Sequence, residues 1–130
     1  MSCLNRFKLV FTGLTLATAL FAGWVQAKAP PPVGDQSTIS LAELPGPGSE
    51  IYTRIHRGGP FASEKEGVVF GNRERLLPLQ KRGFYREYTV PTPGLSHRGV
   101  KRIVCGGQAK TPEVCYYTAD HYASFRRIAP

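Results

Sequence analysis

Acidic side chains are scarce in this sequence: nine Asp and Glu stand against seventeen Lys and Arg in 130 residues, a formal net charge of +8. A balance this lopsided suits a polyanionic partner, nucleic acid or an anionic surface. Cysteine is scarce as well, three in all, and the three histidines, His56, His97 and His121, show no helical pairing. Such a set fits no four-ligand zinc site, and no cofactor is expected. Length is the third shortage, since 130 residues make one small domain with a modest core. What is plentiful is glycine (fourteen), proline (eleven) and tyrosine (six), a mixture that suits a loop-rich β or α+β domain and not a helical bundle.

One long uncharged run exists, and it sits near the start. Arg6 and Lys8 precede an apolar stretch from Leu9 to Val25, and Val25-Gln26-Ala27 follows before Lys28. That is the pattern of a secretory signal peptide. An uncleaved membrane anchor is the rival, although the run falls slightly short of the roughly 20 residues of a spanning helix. Cleavage after Ala27 removes Arg6, Lys8 and Cys3, taking the formal charge from +8 to +6. The layout expected is a signal peptide over 1–27, an extended Ala- and Pro-rich leader over 28–36, and a folded domain over 37–130, exported and free of the membrane once cleaved. Cys105 and Cys115 then remain in a compartment where disulfides persist, on either side of a short loop, and a bridge across a hairpin is expected.

The folded domain opens with a possible short strand over Ser37–Leu41. A helix should follow, starting near Pro47 or Ser49 and ending before Gly58, with Ile51, Tyr52 and Ile55 on one stripe. Too short to persist alone, it must pack on a sheet, against residues such as Tyr88, Val90 and Ile103. His56, near its end, reads as a surface residue. Beyond lies Glu66-Gly67-Val68-Val69-Phe70-Gly71-Asn72-Arg73-Glu74, an apolar strand running into a glycine. Gly71-Asn72 suits a turn whose backbone N–H groups point inward, with Glu74 facing them. Guanine offers an acceptor at O6 and donors at N1 and N2, so that arrangement matches it. An ordinary turn with a solvated Glu74 fits the same residues.

Alternation then organises Gly83 to Tyr122. Phe84, Arg86, Tyr88 and Val90 fall on one face of a strand, Tyr85, Glu87 and Thr89 on the other. After a Pro-Thr-Pro-Gly turn, Arg98, Val100, Arg102 and Val104 share a face, and Cys115–Ala119 returns to deliver His121 to the strand's end. Register in an antiparallel meander brings Glu87, Arg98, Arg102 and His121 together. Singly these are the residues of a solvated salt-bridge ladder, and Lys101 and Arg126-Arg127 read as solvated charge. Together they provide a base, an acid and cations around a phosphate, the requirements of metal-free cleavage of RNA.

The motifs GVVFGNRE, YREYTV, TPG..HRG.KRI and YYTADHY.SF resemble those of the guanyl-specific microbial ribonucleases, the barnase-like secreted family, and most closely its small streptomycete branch. The likeness covers about Thr38 to Ile128. It implies an α+β fold, one short helix on a twisted antiparallel sheet, and endonucleolytic cleavage of single-stranded RNA after guanosine through a 2′,3′-cyclic phosphate. By position it implies Glu87 as general base, His121 as general acid, Arg98 and Arg102 as phosphate-binding arginines and Arg73 as a further active-site arginine. Phe70, Gly71, Asn72 and Glu74 match the guanine loop, and Tyr122 the aromatic completing the base site. It also admits an acidic inhibitor of the barstar kind, and a monomer. Gly71 departs from the branch, which usually has a larger polar residue there, and Ser40 replaces a cysteine bridging to the C-terminus. The alternative function is a non-catalytic RNA-binding or interaction module on the same scaffold.

Overall fold

The computed structural model describes residues 37–130; the signal and leader segments expected over 1–36 lie outside the described residues. In chain order the elements are β1 (Thr38–Ser40), a 3₁₀ turn (Leu41–Glu43), α1 (Gly46–Arg57), β2 (Val68–Val69), β3 (Tyr85–Thr89), β4 (Arg102–Gly107), β5 (Pro112–Thr118) and β6 (Arg126–Ala129). The strands form one sheet in the order β1-β6-β5-β4-β3-β2.

The helix starts where Pro45 and Pro47 preset its first turn, and stops where its sequence says it should. Gly58 takes φ 77°, and the N–H groups of Gly58 and Gly59 donate to Ile55 O and Arg54 O, closing the last turn as only a left-handed residue allows. Arg54, His56 and Arg57 lie at that negative end. His56 is exposed and Nδ1–H donates to the Tyr52 carbonyl at 2.9 Å, in keeping with a surface role.

Ile55 is fully buried, with Ile51 and Tyr52 packed beside it. They cover the back of the sheet at Tyr88, Val90, Ile103 and Tyr117, with Ile39 and Ile128 from the β1–β6 edge. The opposite face carries a second cluster of Leu77, Tyr85, Val104, Tyr116 and Phe125. Helix and sheet thus use one face for stability and leave the other for the site.

From β2 to β6 every pairing is antiparallel, as expected, while β1 lies parallel to β6, Thr38 opposite Arg127 and Ile39 opposite Ile128. Ser40 spends its hydroxyl and N–H on the Glu43 carboxylate at 2.8 and 2.9 Å, capping the 3₁₀ turn. Cys105 and Cys115 sit directly opposite on β4 and β5, Cα atoms 4.1 Å apart, and are disulfide-bonded.

Two expectations of strand extent shift. Strand β4 begins at Arg102, not at Arg98, because Gly99 takes φ 66°, outside strand geometry. Phe84 lies outside β3 and escapes its alternation: it packs with the second cluster, edge-on to Tyr85, instead of behind the sheet with Tyr88. Gly106 makes that possible, since a Cβ there would run into the Phe84 ring.

Candidate active site

The site grows from the front face of β3 and β4. Glu87 lies mid-strand opposite Val104 of β4 and Val68 of β2, its side chain 16% exposed. Arg98 arrives from the preceding loop. Its Nε donates to Thr89 Oγ1 at 2.8 Å, and its Nη2 lies 4.0 Å from both Glu87 Oε1 and Glu66 Oε1. Glu66, unremarked in the motifs, is therefore part of the cluster. Its side chain is 10% exposed and its Oε2 accepts from Thr89 N at 2.6 Å.

Arg102 heads β4 and is 4% exposed, its Nη1 donating to the Gly99 and Lys101 carbonyls at 3.0 and 2.8 Å. These bonds fix the guanidinium plane. Among the described residues, Arg102 Nε and Arg98 Nη2 are buried nitrogens with no hydrogen-bond acceptor. A buried donor left without a partner costs about 1–3 kcal/mol, and an anion delivered to both would relieve it.

His121 and Tyr122 come from the turn after β5, both with left-handed backbone, φ 55° and 70°. Such angles are strained for residues with a Cβ. Hydrogen bonds hold them. The buried Thr118 hydroxyl donates to Asp120 Oδ1 at 2.9 Å and accepts from Tyr122 N at 3.1 Å, while Ser124 N donates to Asp120 Oδ1 at 2.9 Å and Ser124 Oγ to Oδ2. The Ser124 bonds, with that from Thr118, hold the Asp120 carboxyl below its usual range.

Tyr122 joins the two halves of the site. Its ring stacks on Phe70 at 5.2 Å between centroids, and Arg102 Cζ lies 5.9 Å above it. Burial pushes its phenol up; Glu87 adds to that and Arg102 opposes it, so the hydroxyl is within electrostatic reach of both. On its other side opens a cleft of about 1010 Å³, lined by Phe70, Gly71, Asn72, Arg73, Glu74, His121 and Tyr122, and by the segment Gln80–Gly83.

The structure thus brings Glu87, Arg98 and Arg102 into one cluster and places His121 with the Phe70–Glu74 loop in the adjoining cleft. Arg73 lines the cleft and is absent from the ion pairs around Glu87. In the loop the unusual backbone falls on Asn72 (φ 48°) and not on Gly71. A Cβ at Gly71 would meet only the Arg73 side chain, at 3.5 Å, so a larger residue fits there and glycine leaves the cleft more open. Asn72 braces the loop: Nδ2 donates to Leu77 O at 2.9 Å and Oδ1 accepts from Leu77 N at 3.1 Å. Glu74 is exposed and has no ion-pair partner among the described residues.

One helix on a mostly antiparallel sheet is the fold of the small microbial ribonucleases. A family model described as ribonuclease matches residues 26–129, and the chain belongs to that family. It is similar to guanyl-specific ribonuclease Sa3 of Kitasatospora aureofaciens, 49% identical over 90 residues that make 69% of this chain and 62% of Sa3. Guanyl-specific ribonuclease Sa of the same organism is 45% identical over 91 residues, 70% of this chain and 92% of the relative. Guanyl-specific ribonuclease St of Saccharopolyspora erythraea is 43% identical over 98 residues, 73% and 93%. Among solved structures, ribonuclease Sa2 in complexes with mononucleotides superposes with a TM-score of 0.68 at 38% identity, over 73% of this chain and 95% of Sa2. Sa2 with guanosine-2′-cyclophosphate gives 0.66 at 38% identity, over 73% and 97%.

Proposed function

We propose that this protein is a secreted, monomeric endoribonuclease that cleaves single-stranded RNA after guanosine by transphosphorylation. The observation that carries the reading is the cluster of Glu87, Arg98 and Arg102, linked through Tyr122 to an aromatic-walled cleft. Kinship with guanyl-specific ribonucleases supports the substrate. Guanine stacks in the cleft by Phe70 and Tyr122, the backbone of Gly71 and Asn72 meeting O6 and the Glu74 carboxylate accepting from N1 and N2. The phosphate 3′ to that guanosine is held by the guanidiniums of Arg98 and Arg102, and Arg73 adds charge from the cleft wall.

Glu87, ionised, removes the proton of the 2′-hydroxyl, whose oxygen attacks phosphorus. The P–O5′ bond breaks, His121 gives its proton to the departing oxygen, and a 2′,3′-cyclic phosphate is left. Arg98 and Arg102 hold the negative charge that builds on the crowded phosphorus. Basic charge around the site also suits an acidic inhibitor protein of the barstar kind. Export by the segment ending at Ala27 supplies the oxidising compartment that the Cys105–Cys115 bridge needs.

The test separates the two protons. His121→Gln should lower the rate on RNA about 10²-fold or more, yet far less on an analogue whose leaving group needs no proton. Glu87→Gln should impair both substrates alike. Equal damage by His121→Gln to RNA and to the activated analogue removes His121 from the acid's role, and absence of cleavage by the parent protein removes the activity.

A further inference from the structure

The cleft is larger than base recognition needs. Its volume of about 1010 Å³ stands at the upper end of the roughly 300–1,000 Å³ that accommodates a whole drug-sized ligand, and a single purine fills a fraction of it. Besides the base loop, Gln80-Lys81-Arg82-Gly83 line the cleft. Phe84 N donates to Lys81 O at 3.1 Å, so Lys81 and Arg82 ride on a closed turn, with Gly83 at φ 86°. That turn is anchored at both ends. Tyr85 Oη donates to Pro78 O at 2.6 Å, its phenol pushed up to about 12 by burial and by Tyr116, so it stays a donor at any physiological pH. The two Asn72–Leu77 bonds fasten the same segment to the base loop, around a Leu77 that is 1% exposed. The two walls therefore hold a fixed separation.

Neither Lys81 nor Arg82 has a carboxylate within ion-pair distance among the described residues, and both are exposed. With Arg73 they make three cations in a cleft whose lining holds one carboxylate, Glu74. Position supplies direction. Strand β3 runs from Tyr85, whose carbonyl accepts from Phe70 N beside the base loop, to Thr89, which holds Arg98. Moving back along β3 from the phosphate-binding arginines passes Glu87, reaches the base loop and ends at the Lys81–Phe84 turn. With the 3′ phosphate of the bound guanosine at Arg98 and Arg102, the strand on the 5′ side leads toward Lys81 and Arg82.

We propose that the Lys81–Phe84 turn is a separate binding site for the phosphate, and with it the nucleotide, on the 5′ side of the guanosine. The inference rests on the base and phosphate assignments proposed above. It makes the substrate a strand entering the cleft from its 5′ side, and predicts that a free 5′ end at the guanosine forfeits affinity.

Three short substrates test it at low salt: GpU, ApGpU and GpUpA, with the parent and the Lys81→Ala/Arg82→Ala variant. The parent should favour ApGpU over GpU about tenfold in kcat/KM, through KM. The variant should bring ApGpU to the level of GpU while leaving GpU itself and the GpUpA to GpU ratio unchanged. Calorimetry supplies a readout independent of cleavage: guanosine 3′,5′-bisphosphate should bind the parent about tenfold tighter than 3′-GMP, and equally to 3′-GMP in the variant. No 5′ preference in the parent, or a loss in the variant shared by all three substrates, overturns the site. If the parent cleaves none of the three yet keeps the calorimetric difference, the subsite stands and the proposed reaction falls.

Discussion

Replacing Asp120 with alanine tests how the turn carrying His121 and Tyr122 keeps its shape. Those two residues hold φ 55° and 70°, at about 1–2 kcal/mol each for side chains with a Cβ, so about 2–4 kcal/mol favours relaxation of the turn. Against it stand three bonds to the Asp120 carboxylate, from Thr118 Oγ1, Ser124 N and Ser124 Oγ. The carboxylate faces solvent, so each bond belongs at the low end, about 0.5–1 kcal/mol. Asp120→Ala removes all three, roughly 2 kcal/mol, and leaves the strain opposed by the bonds that Thr118 Oγ1 accepts from the backbone N–H groups of residues 120 and 122. Stability should fall by about 1–2 kcal/mol in urea denaturation. Activity should fall further, because a shift of about 1 Å in a proton donor costs on the order of 10²-fold. Hydrolysis of GpU should drop 10- to 100-fold in kcat/KM, and Ser124→Ala, which keeps the backbone donor, only a few-fold. The pH dependence has a definite sign. Since the folded Asp120 carboxyl lies below its unfolded value of about 3.9, its stabilisation is complete above that value and is lost as pH falls through the folded one. Asp120→Asn should accordingly be less stable than the parent at pH 6 and converge with it as pH falls through the folded value. An Asp120→Ala protein that keeps GpU hydrolysis within twofold of the parent refutes the argument.

Glu74→Ala should lower cleavage at guanosine far more than elsewhere, by on the order of 2–4 kcal/mol in discrimination, as read from dinucleotide kinetics. Reduction of the Cys105–Cys115 bridge, or its replacement by serines, should cost about 2–3 kcal/mol in thermal or urea unfolding; in the oxidised native protein neither thiol should take up an alkylating agent. Glu66→Gln keeps the shape but removes one of the two charges on Arg98, and should slow RNA cleavage about tenfold without abolishing the fold; unchanged kinetics would separate Glu66 from the site.

Local signals carried much of this architecture. Pro47 before, and Gly58 after, an apolar stripe bound the helix to within three residues at its start and matched its end, and alternation sorted Tyr85, Glu87 and Thr89 onto the face that carries the site. The facing cysteines followed from their short loop. What escaped was non-local. No pattern in Thr38–Ser40 announces a parallel partner at the far end of the chain, because strand choice is settled by packing on Ile55 and its neighbours. Arg98 reaches Glu87 from a loop bent at Gly99, where alternation has no hold. Glu66 lies 21 positions before Glu87 and joins it through tertiary contacts, the bond from Thr89 N and the shared Arg98. The Thr118-Asp120-Ser124 network did leave a trace, since short polar side chains two and four residues apart favour local bonds to the backbone.

The sheet order also sets a sequence of events in time. Strand β1 is the first made of the described strands and has only β6 as a neighbour, while β6 is the last of them. Until Arg126–Ala129 exists, Ile39 has no strand to dock on and the edge of the core behind it lies open. Joining such distant segments is slow compared with forming hairpins, because the intervening chain must first be gathered. A chain interrupted before β6 is therefore not a slightly shortened enzyme but an unfinished one, lacking β6 and the pairing that holds the edge strand β1. For a cell whose own RNA would be a substrate under the proposed activity, the fold postpones the finished nuclease until after synthesis has passed the last strand.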